Sequence, residues 1–410
     1  MKDVTEIKGG ITAPAGFLAG TIFCGVKESN TSKEDMALIC SEVPAAAAGT
    51  FTTNKVKAAP VLVSMAHLRM GGKAGHVRAI LANSGNANAC TGPQGLESAR
   101  RMCRAAAGSL GQSMRVKPRE ILVCSTGRIG VQLPIAKMEA AIAKLPPKLG
   151  KFSKRAAQAI MTSDSFPKEI AVQCQLGGKA VRIGGIAKGA GMIDPNMATM
   201  LSFITTDAAI AKADLQKALR ASVAHSFNRI TVDGDMSTND TVLALANGRA
   251  GNKPLAWGSP QFAIFQQALD HVTASLARMI VLDGEGVSRF IDLHLTGART
   301  EREARLAARA IANSMLVKCA WFGGDPNWGR IVDAIGYSGA RIREERISIA
   351  YNGLPAVQGG MAAPTPVAKL RAIAHKKEFT ISVDLGLGTG THRIWTTDLT
   401  TKYVEFNMGE

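Results

Sequence analysis

The sequence predicts an α+β fold, layered rather than doubly wound, and three observations carry that expectation. Strand-like and helix-like stretches are mixed from end to end without a regular βαβα rhythm. Of the 410 residues 46% are hydrophobic and only 5% aromatic, so an ample core is built from small, closely packed aliphatic side chains. No internal repeat and no low-complexity tether divides the chain.

In chain order, residues 77–82 (VRAILA) and 120–124 (EILVC) read as buried strands, with a helix between them over 96–107 that Gly108 is placed to end. Helical patterns follow at 135–144, 153–161 and 212–226, the first two separated by the loop LPPKLGKFS at 145–153. Residues 200–206 mix apolar and β-branched side chains as a half-buried strand does, and 241–246 (TVLALA) is an apolar strand. In FIDLHL (290–295), Ile291, Leu293 and Leu295 face one way and Asp292 and His294 the other, the alternation of an antiparallel strand. Thr300 and Glu303 form a capping box that opens a helix running to about Leu316. Residues 352–366 are the longest turn-rich stretch of the second half, and 380–385 (TISVDL) is a further buried strand. The glycine cluster DLGLGTG (384–390) is followed by THRIWTTDL, a strand pattern, so a tight hairpin accounts for it better than a dinucleotide-binding turn, which needs a helix next.

Bulk properties narrow the function. There is no run of eighteen apolar residues to span a membrane, and MKDVTEIKGG lacks the apolar stretch of a signal peptide. The seven cysteines are scattered and odd in number, the usage of reduced thiols in a cytoplasmic protein. No CxxC and no paired histidines offer a metal site. A net charge of +17 is the signature of a nucleic-acid binder or of a basic surface that attracts anions. The basic residues are spread evenly, the densest run, RIREER (341–346), contains two glutamates, and no aromatics interleave to stack on bases. Nucleic acid is therefore not the expected partner.

Three stretches could carry chemistry. DGDMSTND (233–240) packs Asp233, Asp235 and Asp240 into eight residues, but Thr238 and Ala244 stand where a calcium loop needs Gly and Glu. It reads as a hydrogen-bonded turn. ANSGNANACTG (82–92) and CSTGRIG (124–130) each follow an apolar strand and offer small residues whose backbone N–H groups can lie exposed to an oxyanion, with Gly127 permitting close backbone approach. In AKGAGMIDPNMATMLSFITTDA (187–208), Thr199 sits where a Gly- and Pro-containing loop meets a strand. A threonine there is either a plain strand start or a nucleophile. A threonine hydroxyl needs an adjacent base, which its own α-amine becomes once the preceding peptide bond is cut.

AKGAGMIDPNMATMLSF resembles the self-processing signature of the glutamate/ornithine N-acetyltransferase (ArgJ) family. GFLAGTIFCGVK, AGTFTTNKVKAAPV, NSGNANACTG, STGRIG, DGDMSTNDTVLALANG, DGEG and GDPNWGRI resemble further family blocks in family order, from about residue 10 to residue 407. The resemblance implies the layered sandwich of that family, similar in style to N-terminal-nucleophile hydrolases. It implies a cut between Ala198 and Thr199 that leaves an α chain (1–198) and a β chain (199–410), paired as a dimer of αβ units. Thr199 matches the nucleophile, Thr126 and Gly127 the oxyanion hole, and Thr162, Lys188, Glu285 and Asn407 the substrate contacts, with Ser163 an alternative to Thr162. The implied reaction moves acetyl from N2-acetylornithine to glutamate in a ping-pong cycle in the cytoplasm. It needs no cofactor, with acetyl-CoA open as a co-substrate. An amidase or aminopeptidase using the same threonine, or a secondary-metabolism acetyltransferase, would differ in acceptor or substrate. Two positions depart from the family pattern: Glu410 ends the chain only three residues after Asn407, and Met236 stands where a small polar residue is usual.

Overall fold

The computed structural model describes residues 4–70, 76–194 and 200–408, which divide into two compact units. Ala198, Thr199 and Glu410 lie outside the described residues. The first unit is formed by residues up to 189, 200–228 and 236–280, the second by 190–194, 229–235 and 281–408.

The first unit is built on nine strands: β1 (Val4–Ile7), β2 (Phe17–Ile22), β3 (Met36–Phe51), β4 (His76–Asn83), β5 (Ile121–Ser125), β6 (Lys168–Leu176), β7 (Lys179–Lys188), β8 (Leu201–Thr206) and β9 (Thr241–Ala246). They pair in the order β1-β6-β7-β8-β9-β3-β4-β5, with β2 also on β3. The helices are α1 (Ala59–Met70), α2 (Gly92–Met114), α3 (Ile135–Ile142), α4 (Ser153–Ala159), α5 (Lys212–His225) and most of α6 (Pro260–Leu282). Alternate side chains of β3, β4 and β5 feed two cores because successive residues of a strand point to opposite faces. Met36, Leu38, Ala79, Leu81, Ile121 and Val123 pack on Met102, Cys103 and Ala106 of α2. Ile39, Ile80 and Leu122 share the other core with Ile186, Phe203 and Leu243 of β7, β8 and β9, so two parts of one sheet face each other across a common interior. Both faces are covered, which explains the near-continuous apolar runs of these strands.

The second unit carries a six-stranded sheet: β10 (Phe290–Ala298), β11 (Ser348–Tyr351), β12 (Leu354–Gln358), β13 (Met361–Ala362), β14 (Glu378–Asp384) and β15 (Gly390–Thr397), ordered β13-β12-β11-β14-β10-β15. Its helices are α7 (Glu301–Asn313), α8 (Met315–Phe322), α9 (Trp328–Gly336), α10 (Val367–Ala374) and α11 (Thr401–Phe406). Ala304, Ala307, Ala308 and Ile311 of α7 pack on Ile291, Leu293 and Leu295 of β10, a core of the small aliphatic side chains that the composition predicts.

Both sheets mix parallel and antiparallel pairs, the layered mixed architecture expected. Five local expectations change. The helix predicted to stop at Gly108 runs from Gly92 to Met114; the sites of Gly108 and Gly111 are open, Leu110 is buried, and packing outweighs the glycine penalty. The helix opened by Thr300, whose Oγ1 accepts from Glu303 N at 3.2 Å, stops at Asn313 because Ser314 caps a new helix through Val317 N. β8 is buried at every position rather than half-buried: Leu201 and Phe203 enter the core shared with β4 and β5, and Ser202, Ile204 and Thr206 on the opposite face are buried too. The turn-rich 352–366 contains β12 and β13. DLGLGTG is no hairpin: β10 lies between β14 and β15, and the loop bridges its end through Leu385 N to Thr296 O (3.0 Å) and Leu387 N to Gly297 O (2.7 Å). The β10 strand is antiparallel to β15, as its alternation suggests, but parallel to β14.

Candidate active site

In the first unit, Lys188 ends β7, where it pairs in register with Leu201 at the start of β8. Its side chain is buried, 3% exposed, and Nζ donates to Thr162 Oγ1 at 2.7 Å and to Thr126 Oγ1 at 3.3 Å. Three predicted residues, separated by 26 and 62 positions from the lysine, therefore meet at one ammonium. Ser163 does not substitute for Thr162 in this contact.

Asp164 organises the cluster, and sequence reasoning passed over it. Its Oδ1 accepts from Lys168 Nζ and from Gly189 N, each at 2.7 Å, and Oδ2 accepts from Thr162 N at 3.1 Å. Burial by itself would raise this carboxyl; the Lys188 and Lys168 ammoniums and the Gly189 and Lys168 hydrogen bonds outweigh it and hold the carboxyl below its ordinary range. Asp164 is thus a buried anion, ion-paired with Lys168 at 2.7 Å and lying in the field of Lys188. The only signal in the sequence is a lone aspartate in TSDSFPK, four residues before Lys168.

Thr126 follows β5 and Gly127 follows it. The Thr126 amide is spent on Asn83 O at 3.0 Å, which leaves its hydroxyl to act. Gly127 has φ +128°, and a Cβ there would lie 2.3 Å from Gly85 C and 2.5 Å from Asn86 N, so only glycine fits. No acceptor among the described residues takes the Gly127 N–H. In 83–92, Ser84 N bonds Asp35 O, Ala87 N bonds Arg128 O and Asn88 N bonds Asn86 Oδ1; Ala87 O in turn takes Asn239 Nδ2 at 2.7 Å. Three amides of that loop are therefore spent within the fold.

Asp240 closes the turn 233–240. Its Oδ1 accepts from Met200 N at 3.0 Å, and Oδ2 is buried without a hydrogen-bond partner among the described residues. Burial pushes its carboxyl well above the ordinary range, against the pull of the Met200 amide and Lys188. Met236 accepts from Thr53 Oγ1 at Sδ and from Asn54 Nδ2 at its carbonyl.

In the second unit, Glu285 Oε2 accepts from Asn407 Nδ2 at 3.1 Å, and Asn407 Nδ2 also bonds Tyr403 O at 2.9 Å. Glu285 N bonds Ala190 O at 3.0 Å, and a Cβ on Gly191 would fall 2.3 Å from Glu285 Oε2. Asp233 accepts from Met192 N at 2.6 Å, Ile193 N at 2.8 Å, Asp235 N at 3.1 Å and Tyr403 Oη at 3.2 Å. Burial lifts its carboxyl to about 6 against those donors. Two of the three aspartates in 233–240 are thus turned to backbone amides on either side of 195–199 in the chain.

The sequence model of the ArgJ family matches residues 18–409. The arginine biosynthesis bifunctional protein ArgJ of Symbiobacterium thermophilum is 46% identical over 405 residues, 98% of each chain. That of Geobacter sulfurreducens is 48% identical over 394 residues, 96% of this chain and 98% of its own. Among solved structures, a chain of the arginine biosynthesis bifunctional protein argJ from Bacillus halodurans matches with TM-score 0.50 at 43% identity, over 52% of this chain and all of its own.

Proposed function

The chain belongs to the ArgJ family, and from that premise we propose that it is a self-processing acetyltransferase of arginine biosynthesis. It moves an acetyl group from N2-acetylornithine to glutamate through an ester on Thr199. The observation that carries the reading is Lys188 Nζ, within hydrogen-bond reach of both Thr126 Oγ1 and Thr162 Oγ1. A buried cation beside two hydroxyls suits a reaction in which negative charge develops on a carbonyl oxygen.

Processing comes first. Thr199 Oγ adds to the Ala198 carbonyl, the C–N bond breaks to leave an ester, and water hydrolyses it. Ala198 gains a carboxylate and Thr199 a free α-amine, which with a pKa of about 7.7–8.0 is a competent base near neutral pH. That amine then takes the Thr199 hydroxyl proton as Oγ attacks the acetyl carbonyl of N2-acetylornithine. The Thr126 hydroxyl and the Gly127 N–H donate to the oxyanion. Collapse of the intermediate expels the ornithine amine, which receives the proton, and the glutamate amine attacks the acetyl ester to regenerate Thr199.

Lys188 and Thr162 contact the substrate in this reading, Glu285 takes a substrate ammonium, and Asn407 holds the Glu285 carboxylate oriented. No step calls for a bound cofactor; acetyl-CoA enters as a second acetyl donor, in keeping with the word bifunctional in the relatives' names. The proposal includes a dimer of αβ units and a cytoplasmic location; no helix of the described residues is long and apolar enough to cross a membrane.

The test is a denaturing mass measurement of wild-type protein and Thr199→Ala, followed by product analysis on N2-acetylornithine with and without glutamate. The proposal expects two fragments in the wild type, an intact variant, and acetylglutamate formed only with glutamate present. An uncleaved, folded wild type would sink the mechanism. Acetate released at the same rate without glutamate would make the protein an amidase.

A further inference from the structure

Acetyl transfer as proposed uses Lys188 and leaves the rest of a +17 net charge without a role. In the second unit, Arg299, Arg341, Arg343 and Arg346 line a surface cavity of about 390 Å³ together with Leu387. Two stretches that stand out in the sequence meet there: the basic run RIREER and the glycine cluster DLGLGTG.

The glycines explain how the arginines converge. A Cβ on Gly388 would lie 2.7 Å from Ala298 O and 3.0 Å from Arg299 Cα, and one on Gly386, where φ is +61°, would lie 3.1 Å from Arg346 Cβ. The 385–389 loop is therefore pressed onto the backbone that carries Arg299 and Arg346. Arg346 Nη1 donates to Gly386 O at 3.0 Å and is held in place.

Nothing among the described residues neutralises the cluster. The side chains of Arg299, Arg341 and Arg343 make no hydrogen bond or ion pair there, and no carboxylate pairs with Arg346. Asp384 at the loop's base turns its Oδ1 to Gly386 N at 3.0 Å. Glu344 and Glu345 share the basic run and form no ion pair with the four. Four exposed guanidinium groups around one cavity, with no carboxylate paired to them, raise its positive potential and favour an anion there. Planar guanidinium forks match phosphate oxygens two at a time, so four of them exceed what one phosphate uses. No aromatic side chain lines the cavity to stack a run of bases, and its volume is that of a small-ligand site.

We propose that this cavity binds a small molecule bearing two or more phosphate groups, a function separate from acetyl transfer. The experiment is calorimetric titration of the full-length protein with tripolyphosphate, ATP and adenosine at about 50 mM and about 200 mM salt, with a single-stranded oligonucleotide as competitor. The comparison is Arg341→Ser/Arg343→Ser, whose side chains are exposed and make no contact to lose, checked by its melting temperature and its acetyl-transfer rate. Tripolyphosphate and ATP bind the wild type, adenosine does not, and the double variant binds at least about tenfold more weakly with transfer unchanged. Equal affinity in the variant, no binding at low salt, or displacement of tripolyphosphate by an oligonucleotide that binds more tightly would each overturn the proposal. Loss of acetyl transfer in Thr199→Ala leaves this binding untouched, so the two readings fail separately.

Discussion

Asp240 Oδ1 accepts the amide hydrogen of Met200 at 3.0 Å, one residue beyond Thr199, while its Oδ2 is buried with no partner among the described residues. The carboxyl group that anchors the start of β8 is thus also a buried polar group of the kind a protein keeps for a purpose. Asp240→Asn keeps the shape and the anchor. The expected result is fragment formation slowed at least about tenfold, followed by denaturing gels after synthesis. The pH sign is set by the raised carboxyl: the fold prefers the protonated form, so the wild type loses stability as pH rises from the ordinary carboxyl range through the folded value. The melting-temperature difference between variant and wild type should move in the variant's favour across that range.

Thr126 separates hydroxyl chemistry from packing. Its amide is held by Asn83 O whatever the side chain, and Thr162 Oγ1 still accepts from Lys188 Nζ at 2.7 Å, so Thr126→Val should melt within a few degrees of wild type. Its kcat should fall about 100-fold to 1,000-fold, the loss typical of a removed oxyanion donor. Thr126→Ser, which restores the hydroxyl, should recover most of the rate. A valine variant with wild-type kcat would remove Thr126 from the oxyanion hole.

Gly191→Ala tests Glu285 without touching it. The added methyl would lie 2.3 Å from Glu285 Oε2 and must push the carboxylate aside. Steady-state kinetics should show KM for N2-acetylornithine raised by about tenfold, the value of one displaced charged contact. Thr199-dependent fragment formation should persist.

A cut before Thr199 would leave β7 in one fragment and β8 in the other, with six register pairs from Ile183↔Thr206 to Lys188↔Leu201 between them. Because β8 is a buried central strand, the fragments should travel together in native mass spectrometry, always in a one-to-one ratio, and part only in denaturant. Fragments that separate under native conditions would contradict the pairing.

Lys318 supplies a stability signature. Fully buried, it donates to Thr397 O at 2.7 Å and Thr396 Oγ1 at 3.1 Å, and burial pulls its ammonium down to about 7 against the attraction of Asp233 and Asp398. Between about 7 and the ordinary lysine value of 10.5 the unfolded chain binds the extra proton, so stability should rise with pH there, by up to about 1.4 kcal/mol per unit. Urea midpoints from pH 7 to 10 should show that rise in the wild type and lose it in Lys318→Met.

Legibility varied with the range of the interaction. The β4, β5 and β9 strands were readable because both their faces are buried and the apolar run is continuous, whereas β14, read as a buried strand, buries only Phe379, Ile381 and Val383 and exposes Glu378, Ser382 and Asp384 on its other face. Gly108 misled because a glycine's local preference for ending helices yields when Leu110 beyond it is needed in a core. DLGLGTG misled because nothing local reveals that β10, some ninety residues earlier, comes between β14 and β15. At the site, Thr126, Gly127, Thr162 and Lys188 were named through motifs. Asp164 was not, since its role rests on Lys168, Lys188 and Gly189 converging on a buried carboxylate.

By itself the sequence determined the family, most residues of the candidate site and most element identities, because motifs and periodicity are local and survive without coordinates. Only the tertiary structure decided which strands pair, which carboxylates are buried as anions or as acids, and that one lysine reaches two hydroxyls. Those depend on burial and on contacts between distant residues, where a few ångströms of placement set the charge state and the hydrogen bond.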